Sequence, residues 1–185
     1  MTDQRTNVLT GLWFDRGTAT EEWLQAFEAY GHVMACEAAL ELQIALSLCK
    51  LRVLEWRRRG AGAYPHDDFM AYASSLRKKS LSKLIPLAKK NFKLSAPFVE
   101  GLELGKRTRD ALAHNFWDTN LGFLHTSAGV ALIVEQCSLE SWHFKNLSAD
   151  LEREIGFDVL DFVEATQRGS AAAEKGMEEV LRNYR

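Results

Sequence analysis

The chain has 185 residues, of which 46% are apolar, and its formal net charge at neutral pH is −2. This length and apolar content suffice for one substantial core, so we expect a single domain over residues 1–185, with residues 1–18 as a loose tail. We find no secretory signal pattern and no apolar run of roughly 20 residues, the length that spans a membrane. These features exclude a secreted class and predict a cytoplasmic protein with no membrane partner.

The cysteine and histidine patterns argue against a disulfide framework or a metal centre. Cys36, Cys49 and Cys137 are odd in number and widely spaced, and they form no Cys-x-x-Cys pair. We interpret them as reduced core residues. His114 and Asp118 are four residues apart but lack a third ligand, so we expect neither a bound metal nor a cofactor.

The charges are distributed unevenly along the chain. No acidic residue occurs from Phe69 to Val99, and acidic residues outnumber basic ones beyond Val134. Such a basic stretch is commonly a solvated helix face, and it can also be a surface that binds phosphates. The candidate phosphate-binding residues in this stretch are Lys78, Lys79 and Lys83.

The first predicted element is a long helix that begins near Thr20 and ends before Gly60. Glu21 and Glu22 suit its first turn, where the helix dipole favours anions. Apolar residues recur in steps of three and four, which is typical of an amphipathic helix. The predicted stripe is Trp23, Phe27, Tyr30, Met34, Ala38, Leu42, Ala45, Cys49, Val53 and Trp56.

Two shorter helices are predicted next. Asp67 or Asp68 can cap the second helix, which Pro86 should bend. Ser95 can cap the third, and the apolar stripe of that helix includes an arginine, Arg109, at a position that the spacing assigns to the buried side. The stripe is Phe98, Leu102, Gly105, Arg109, Leu112 and Phe116.

After the third predicted helix, the sequence pattern indicates a different type of secondary structure. Two short apolar runs, 121–125 and 130–134, flank a turn, and the β-branched residues of the second run favour a β-hairpin, although a helix through 120–136 stays open. A further helix is predicted from Ser148 or Asp150 to Arg168, and a last one over 171–182. The fold class is therefore mainly all-α, a helical bundle with a small hairpin insertion.

The third helix carries the residues best suited to chemistry. Asp110 and His114 are four residues apart and share a helix face, where a carboxylate can orient an imidazole. Arg109 projects about 100° away on the neighbouring face. A guanidinium binds phosphate in a bidentate manner and a histidine transfers protons near neutral pH, so the three residues suit phosphodiester chemistry without a metal.

The segment from Lys106 to Phe116 reads Lys-Arg-Thr-Arg-Asp-Ala-Leu-Ala-His-Asn-Phe. It resembles the signature of HEPN domains, in which an arginine is followed by a polar residue and, after four to six residues, by a histidine. The resemblance extends over about residues 20 to 168, although only about ten of them are specific. Asn115 departs from the pattern, because many relatives have glycine after the histidine.

The resemblance implies a bundle of four or five helices that dimerises so that two motifs face one cleft. Many HEPN proteins are metal-independent endoribonucleases in toxin–antitoxin, phage-defence or RNA-processing systems. By this resemblance His114 is the general acid or base, Arg109 stabilises the transition state, and Asp110 orients either residue. Lys106 and Arg107 would bind flanking phosphates of the RNA.

Other interpretations of these residues stay open. Some HEPN relatives are catalytically inert modules that bind nucleotides or proteins, and Arg109 with Asp110 can be a structural ion pair. Trp117, close to the motif, is either a core residue or a platform for an RNA base. The expected partners are RNA, a second copy of the chain, and an antitoxin or other regulatory protein.

Overall fold

A computed structural model describes residues 21–60 and 65–156, and all the regular structure in these residues is helical. The predicted mainly α-helical fold class is confirmed for this part of the chain. The predicted tail at 1–18 and the helix predicted at 171–182 lie outside the described residues. The elements are α1 (Glu21–Arg58), α2 (His66–Arg77), α3 (Leu81–Asn91), α4 (Ala96–His114), α5 (Phe116–Asn120), a 3-10 helix (Leu121–His125) and α6 (Ser127–Ile155).

The two long helices, α1 and α6, make the most extensive contact in the fold. The predicted stripe of α1 is partly wrong, because Ala45, Cys49 and Val53 are buried whereas Leu42 is 48% exposed. Apolar residues cover a wide arc of α1, and along much of its length the core lies to one side of the predicted stripe. The residues that form this core face are Ala26, Val33, Glu37, Leu40, Ile44 and Leu48.

The charges at the ends of α1 follow the helix dipole as predicted. Glu21 and Glu22 lie in the first turn, and Arg57 and Arg58 lie in the last. Gly60 follows with a φ of +69°, a left-handed conformation that glycine adopts without steric cost. The end of α1 is therefore encoded locally.

The predicted β-hairpin is wrong, because its residues form the 3-10 helix and the first turns of α6. Thr126 caps α6 by accepting a hydrogen bond from the backbone N–H of Gly129 at 3.0 Å. Gly129 packs so closely on the 3-10 helix that a Cβ there would lie 2.1 Å from the carbonyl oxygen of Phe123. The β-branched residues belong to a buried helical series: Val130, Ile133, Cys137, Phe144, Leu147 and Leu151.

The helix predicted to begin at Ser148 or Asp150 is also wrong in its start. Both residues lie inside α6, where a continuous apolar face outweighs their tendency to cap helices. The helix ends at Gly156, which has a φ of +67° and donates its N–H to the carbonyl of Glu152 at 3.0 Å. The predicted end at Arg168 lies outside the described residues.

The second predicted helix is two helices, α2 and α3, separated by residues 78–80. Pro65, and not Asp67 or Asp68, occupies the N-cap position of α2. The start of α3 is fixed by a long-range contact, in which the backbone N–H of Leu81 donates to the carboxylate of Glu41 on α1. Pro86 lies within α3 without ending it. The break thus depends on tertiary structure and not on the proline.

All of these helices contribute to one cluster of buried side chains. Cys49 and Cys137 belong to this cluster, Cys36 is half-buried, and all three thiols are free. Trp142, in contrast, is 67% exposed on α6. A large apolar residue on a long helix can therefore lie on the solvent side of that helix as well as on its core side.

Among the described residues, α1 alone is long and apolar enough to cross a membrane. Half of its most apolar window is buried inside the fold. The central helix of a helical bundle has the same length and composition as a membrane span. Sequence inspection had not identified this run, because charged residues interrupt it.

Candidate functional site

The candidate residues lie on α4, and the sequence of this helix explains how it is held. As predicted, Ser95 caps it by accepting a hydrogen bond from the N–H of Phe98 at 3.4 Å, and Pro97 lies in the first turn. A Cβ added at Gly105 would lie 3.0 Å from a methyl group of Leu147 on α6. The small residue therefore lets α4 approach α6 closely, one turn before Arg109.

Arg109 lies against α1, where it meets a carboxyl group that sequence reasoning had not singled out. Its Nε lies 3.6 Å from Oε1 of Glu37, and the two side chains are 25% and 5% exposed. Both of these atoms are fully buried, and neither has a hydrogen-bond partner. As the spacing of α4 predicts, Arg109 faces a neighbouring helix, and only a quarter of its side chain is exposed.

The environment of Glu37 favours its protonated form. The pKa of this carboxyl is raised from 4.5 to about 8, chiefly by burial and to a smaller extent by a hydrogen bond and charge repulsion from Glu41, while Arg109 acts in the opposite direction. Glu41 itself accepts the hydrogen bond from Leu81 at the start of α3. A series of contacts thus leads from the N-terminus of α3 through two carboxyl groups to Arg109.

Asp110 contacts Arg109 and not His114. Its Oδ1 accepts a hydrogen bond from Nη1 of Arg109 at 3.4 Å, and its side chain is 45% exposed. In the described part of the chain, Asp110 and His114 form no hydrogen bond or ion pair, although they are four residues apart on one helix. The structure therefore joins Asp110 to the arginine and leaves the imidazole apart from both.

His114 is the last residue of α4 and is exposed. The helix ends here because Asn115 occupies the C-cap, with a φ of −123°, and donates its N–H to the carbonyl of Ala111. The imidazole therefore lies at the surface, in the last turn of the helix. It is thus accessible to a polyanionic ligand.

The other basic residues predicted to bind RNA lie on two parts of the surface. Arg107, which is exposed, lines a cavity of about 380 Å³ between α4, α5 and α6, whereas Lys106 is half-buried. Lys78, Lys79 and Lys83 lie at the break before α3 and in its first turn. The contact between Leu81 and Glu41 places this second group on the side of α1 that also carries Glu37.

Trp117, the predicted base-stacking residue, is half-buried in a cluster of aromatic rings. Its ring centroid lies 4.7 Å from that of Phe27, 5.0 Å from that of Tyr30 and 5.0 Å from that of Phe116. The hydroxyl of Tyr30 also donates to the carbonyl of Leu112 at 3.2 Å. These contacts attach the end of α4 to α1 and occupy much of the indole surface.

The described residues contain no group of three or more His, Cys, Asp or Glu side chains that could hold a metal ion. The buried thiols are not reactive groups, since burial raises the pKa of Cys49 and of Cys137 to about 11. The arrangement around α4 can therefore supply a cation and a proton-transfer group from the protein's own side chains.

No family model, curated protein or solved structure matches the chain. The residues of the site themselves are therefore the basis for any functional conclusion. Glu37 is the main residue of this site that we had not predicted. A signal for it exists in the sequence, because Glu37 interrupts the apolar series Val33, Leu40 and Ile44 at helical spacing.

Proposed function

We propose that the protein is a metal-independent endoribonuclease of the HEPN type, with Arg109, Asp110 and His114 as its catalytic residues. The observation that carries this proposal is the pairing of a fixed cation with an accessible imidazole at the end of α4. Arg109 is 25% exposed and pairs with Asp110, while His114 is exposed. The spacing of the three residues is that of the HEPN signature.

The proposed reaction is an attack of a ribose 2′-hydroxyl on the adjacent phosphate. His114 removes the hydroxyl proton, the 2′ oxygen bonds to phosphorus, and the bond to the 5′ oxygen breaks. The leaving 5′ oxygen takes up a proton from water, and His114 returns its proton to the hydroxide that is left, so the products carry a 2′,3′-cyclic phosphate and a 5′-hydroxyl. Arg109 stabilises the extra negative charge on the phosphate oxygens in the transition state.

We propose that the active species is a homodimer in which two α4 helices face one cleft. The motive is geometric, because Arg109 points toward α1 while His114 lies at the exposed helix end. A second chain would supply an imidazole to the arginine of the first. Mixed dimers with one His114→Ala subunit should then have much less than half of the wild-type activity.

The basic residues that precede and begin α3 are proposed to bind the RNA backbone. A path for the RNA from α3 to the catalytic residues is supported by the contacts that link Leu81, at the start of α3, to Arg109 through Glu41 and Glu37. Replacing Lys78, Lys79 and Lys83 with glutamine should weaken RNA binding and flatten its salt dependence. An unchanged salt slope would identify this surface as an ordinary solvated face.

The test of the activity is incubation of the purified protein with single-stranded RNA in EDTA. We expect cleavage products that end in 2′,3′-cyclic phosphate, and no cleavage by the His114→Ala variant. Activity that EDTA removes and magnesium restores would contradict the proposal. A role as a toxin or phage-defence effector, controlled by an antitoxin, is part of the same proposal, and co-expression with the protein encoded by the neighbouring gene would test it.

The second candidate is a catalytically inert HEPN-like module that binds nucleotides or proteins. One observation favours it, namely that Asp110 pairs with Arg109 and not with His114, as in a structural ion pair. This candidate predicts RNA or nucleotide binding without cleavage. The same EDTA experiment, combined with a binding measurement, separates the two functions.

A further inference from the structure

The proposed reaction makes no use of one charged residue in the core, Glu37. Its side chain is 5% exposed and lies on the apolar face of α1 between Val33 and Leu40. Burying a carboxyl group costs several kcal/mol unless it is paired or neutralised. A carboxyl group at this position therefore calls for a physical explanation.

The contact between Glu37 and Arg109 is enclosed by protein on the side of α1. Nε of Arg109 and Oε1 of Glu37 are both fully buried and lie 3.6 Å apart, too far for a hydrogen bond. Asp110 binds Nη1 of the same guanidinium at 3.4 Å. Two carboxyl groups thus lie next to two different nitrogens of one planar group.

We infer that Glu37 is a positioning residue, which holds the guanidinium of Arg109 from the buried side so that its outer edge faces an RNA phosphate. This inference rests on the proposed ribonuclease function. A fixed arginine makes both bonds of a bidentate phosphate contact with little loss of side-chain freedom. Glu37 acts through Arg109 and does not touch the substrate.

Glu37 limits the movement of the guanidinium by packing against its buried side, and in its neutral form it does not cancel the charge of Arg109. Burial raises the pKa of Glu37 to about 8, so at neutral pH the group is mostly an uncharged acid. The charged groups that act on it are Glu41 on α1 and Arg109 on α4, and Glu41 is itself bound by the backbone of Leu81 on α3. Above about pH 8 an ionised Glu37 would compete with the phosphate for Arg109.

The test compares the variants Glu37→Gln and Glu37→Leu with a matched control, Glu103→Gln. Glu103 lies on α4, has a side chain that is 41% exposed, and pairs with Lys89 at 3.6 Å. Cleavage of single-stranded RNA by the full chain is measured from pH 6 to 9, together with the NMR signal of the Arg109 Nε–H group. Circular dichroism checks that each variant is folded.

We expect Glu37→Leu to lower kcat about 10- to 100-fold with little change in KM, because a displaced Arg109 guanidinium stabilises the transition state less well. Glu37→Gln should retain activity near pH 7 and lose the decline above pH 8 that the wild type shows. The control should match the wild type throughout. A folded Glu37→Leu variant with wild-type kcat would overturn the inference, and so would a Glu37→Gln variant with an unchanged alkaline decline.

The NMR measurement keeps the inference separate from the ribonuclease proposal. If the wild type cleaves no RNA, the proposed function fails, and the Arg109 signal still decides the role of Glu37. We expect this signal to shift or broaden in Glu37→Leu and to stay sharp in Glu37→Gln and in the control. An Arg109 signal that Glu37→Leu leaves unchanged would overturn the positioning role, whatever the result with RNA.

Discussion

The two ends of the motif on α4 differ in how the fold treats them. Arg109 is 25% exposed and contacts two carboxyl groups, whereas His114 is exposed at the helix end and has no hydrogen-bond partner within the described residues. A cation that stabilises a phosphate benefits from a fixed orientation, while a proton-transfer group needs access to the substrate. In the proposed reaction, the buried end of the motif therefore positions the cation, and the exposed end carries out the proton transfer.

The largest expected effect comes from replacing His114, at the exposed end of the motif. His114→Ala should lower RNA cleavage about 10²- to 10⁴-fold, the range that general acid–base catalysis contributes. Because the side chain is exposed, the free energy of unfolding should change by less than about 0.5 kcal/mol. Cleavage assays and urea denaturation measure the two effects. Wild-type activity in this variant would remove His114 from the mechanism.

Replacing Arg109, at the enclosed end of the motif, should change both RNA cleavage and the free energy of unfolding. Arg109→Ala should abolish cleavage, and it should also destabilise the fold by about 1–3 kcal/mol, because it removes buried packing and the partner of Glu37. The loss is limited, since Glu37 can remain protonated. Equal stability of the Arg109→Ala and His114→Ala variants would contradict the difference between the two ends.

The pH dependence of stability should report the buried carboxyl directly. The pKa of Glu37 is raised from 4.5 to about 8 in the folded protein, so between these values the folded state binds a proton that the unfolded state has lost. The contribution of Glu37 to stability is therefore complete below pH 4.5 and is lost as the pH rises toward 8. The size of this change should be on the order of 5 kcal/mol.

The control for this measurement is Glu37→Gln, which cannot titrate. The difference in unfolding free energy between the variant and the wild type should therefore change steadily between about pH 5 and pH 8. Urea denaturation at several pH values measures it. A constant difference across this range would show that the Glu37 carboxyl has an ordinary pKa.

The sequence predicted α4 well because its signals are local. The Ser95 cap, the proline in the first turn and the buried series from Phe98 to Leu112 all agree with the structure. The position of Arg109 on the covered side also followed from spacing alone. The presence of Glu37 opposite it could not be predicted in this way, because which face of α1 meets α4 depends on tertiary packing.

The wrong predictions for other parts of the chain also arise because tertiary packing is not visible in the local sequence. The break before α3 depends on the contact between Leu81 and Glu41, which are 40 residues apart in the sequence. The hairpin prediction relied on β-branched residues, but Val130 and Ile133 are buried at helical spacing in α6. Packing on a long apolar helix thus outweighed the intrinsic preference for strands.

Two glycine variants test the connection that follows the exposed end of α4. A Cβ at Gly129 would lie 2.1 Å from the carbonyl oxygen of Phe123, and backbone must move to admit it, so Gly129→Ala should cost about 2 kcal/mol or more. Gly31 on α1 is the matched control, because nothing lies within 4 Å of a Cβ built there. Gly31→Ala should instead stabilise the protein by about 0.5–1 kcal/mol, since alanine is the better helix former. Thermal and urea denaturation of both variants measure these changes. A neutral Gly129→Ala variant would mean that the 3-10 helix does not pack on the first turn of α6, and that the segment after His114 is held in some other way.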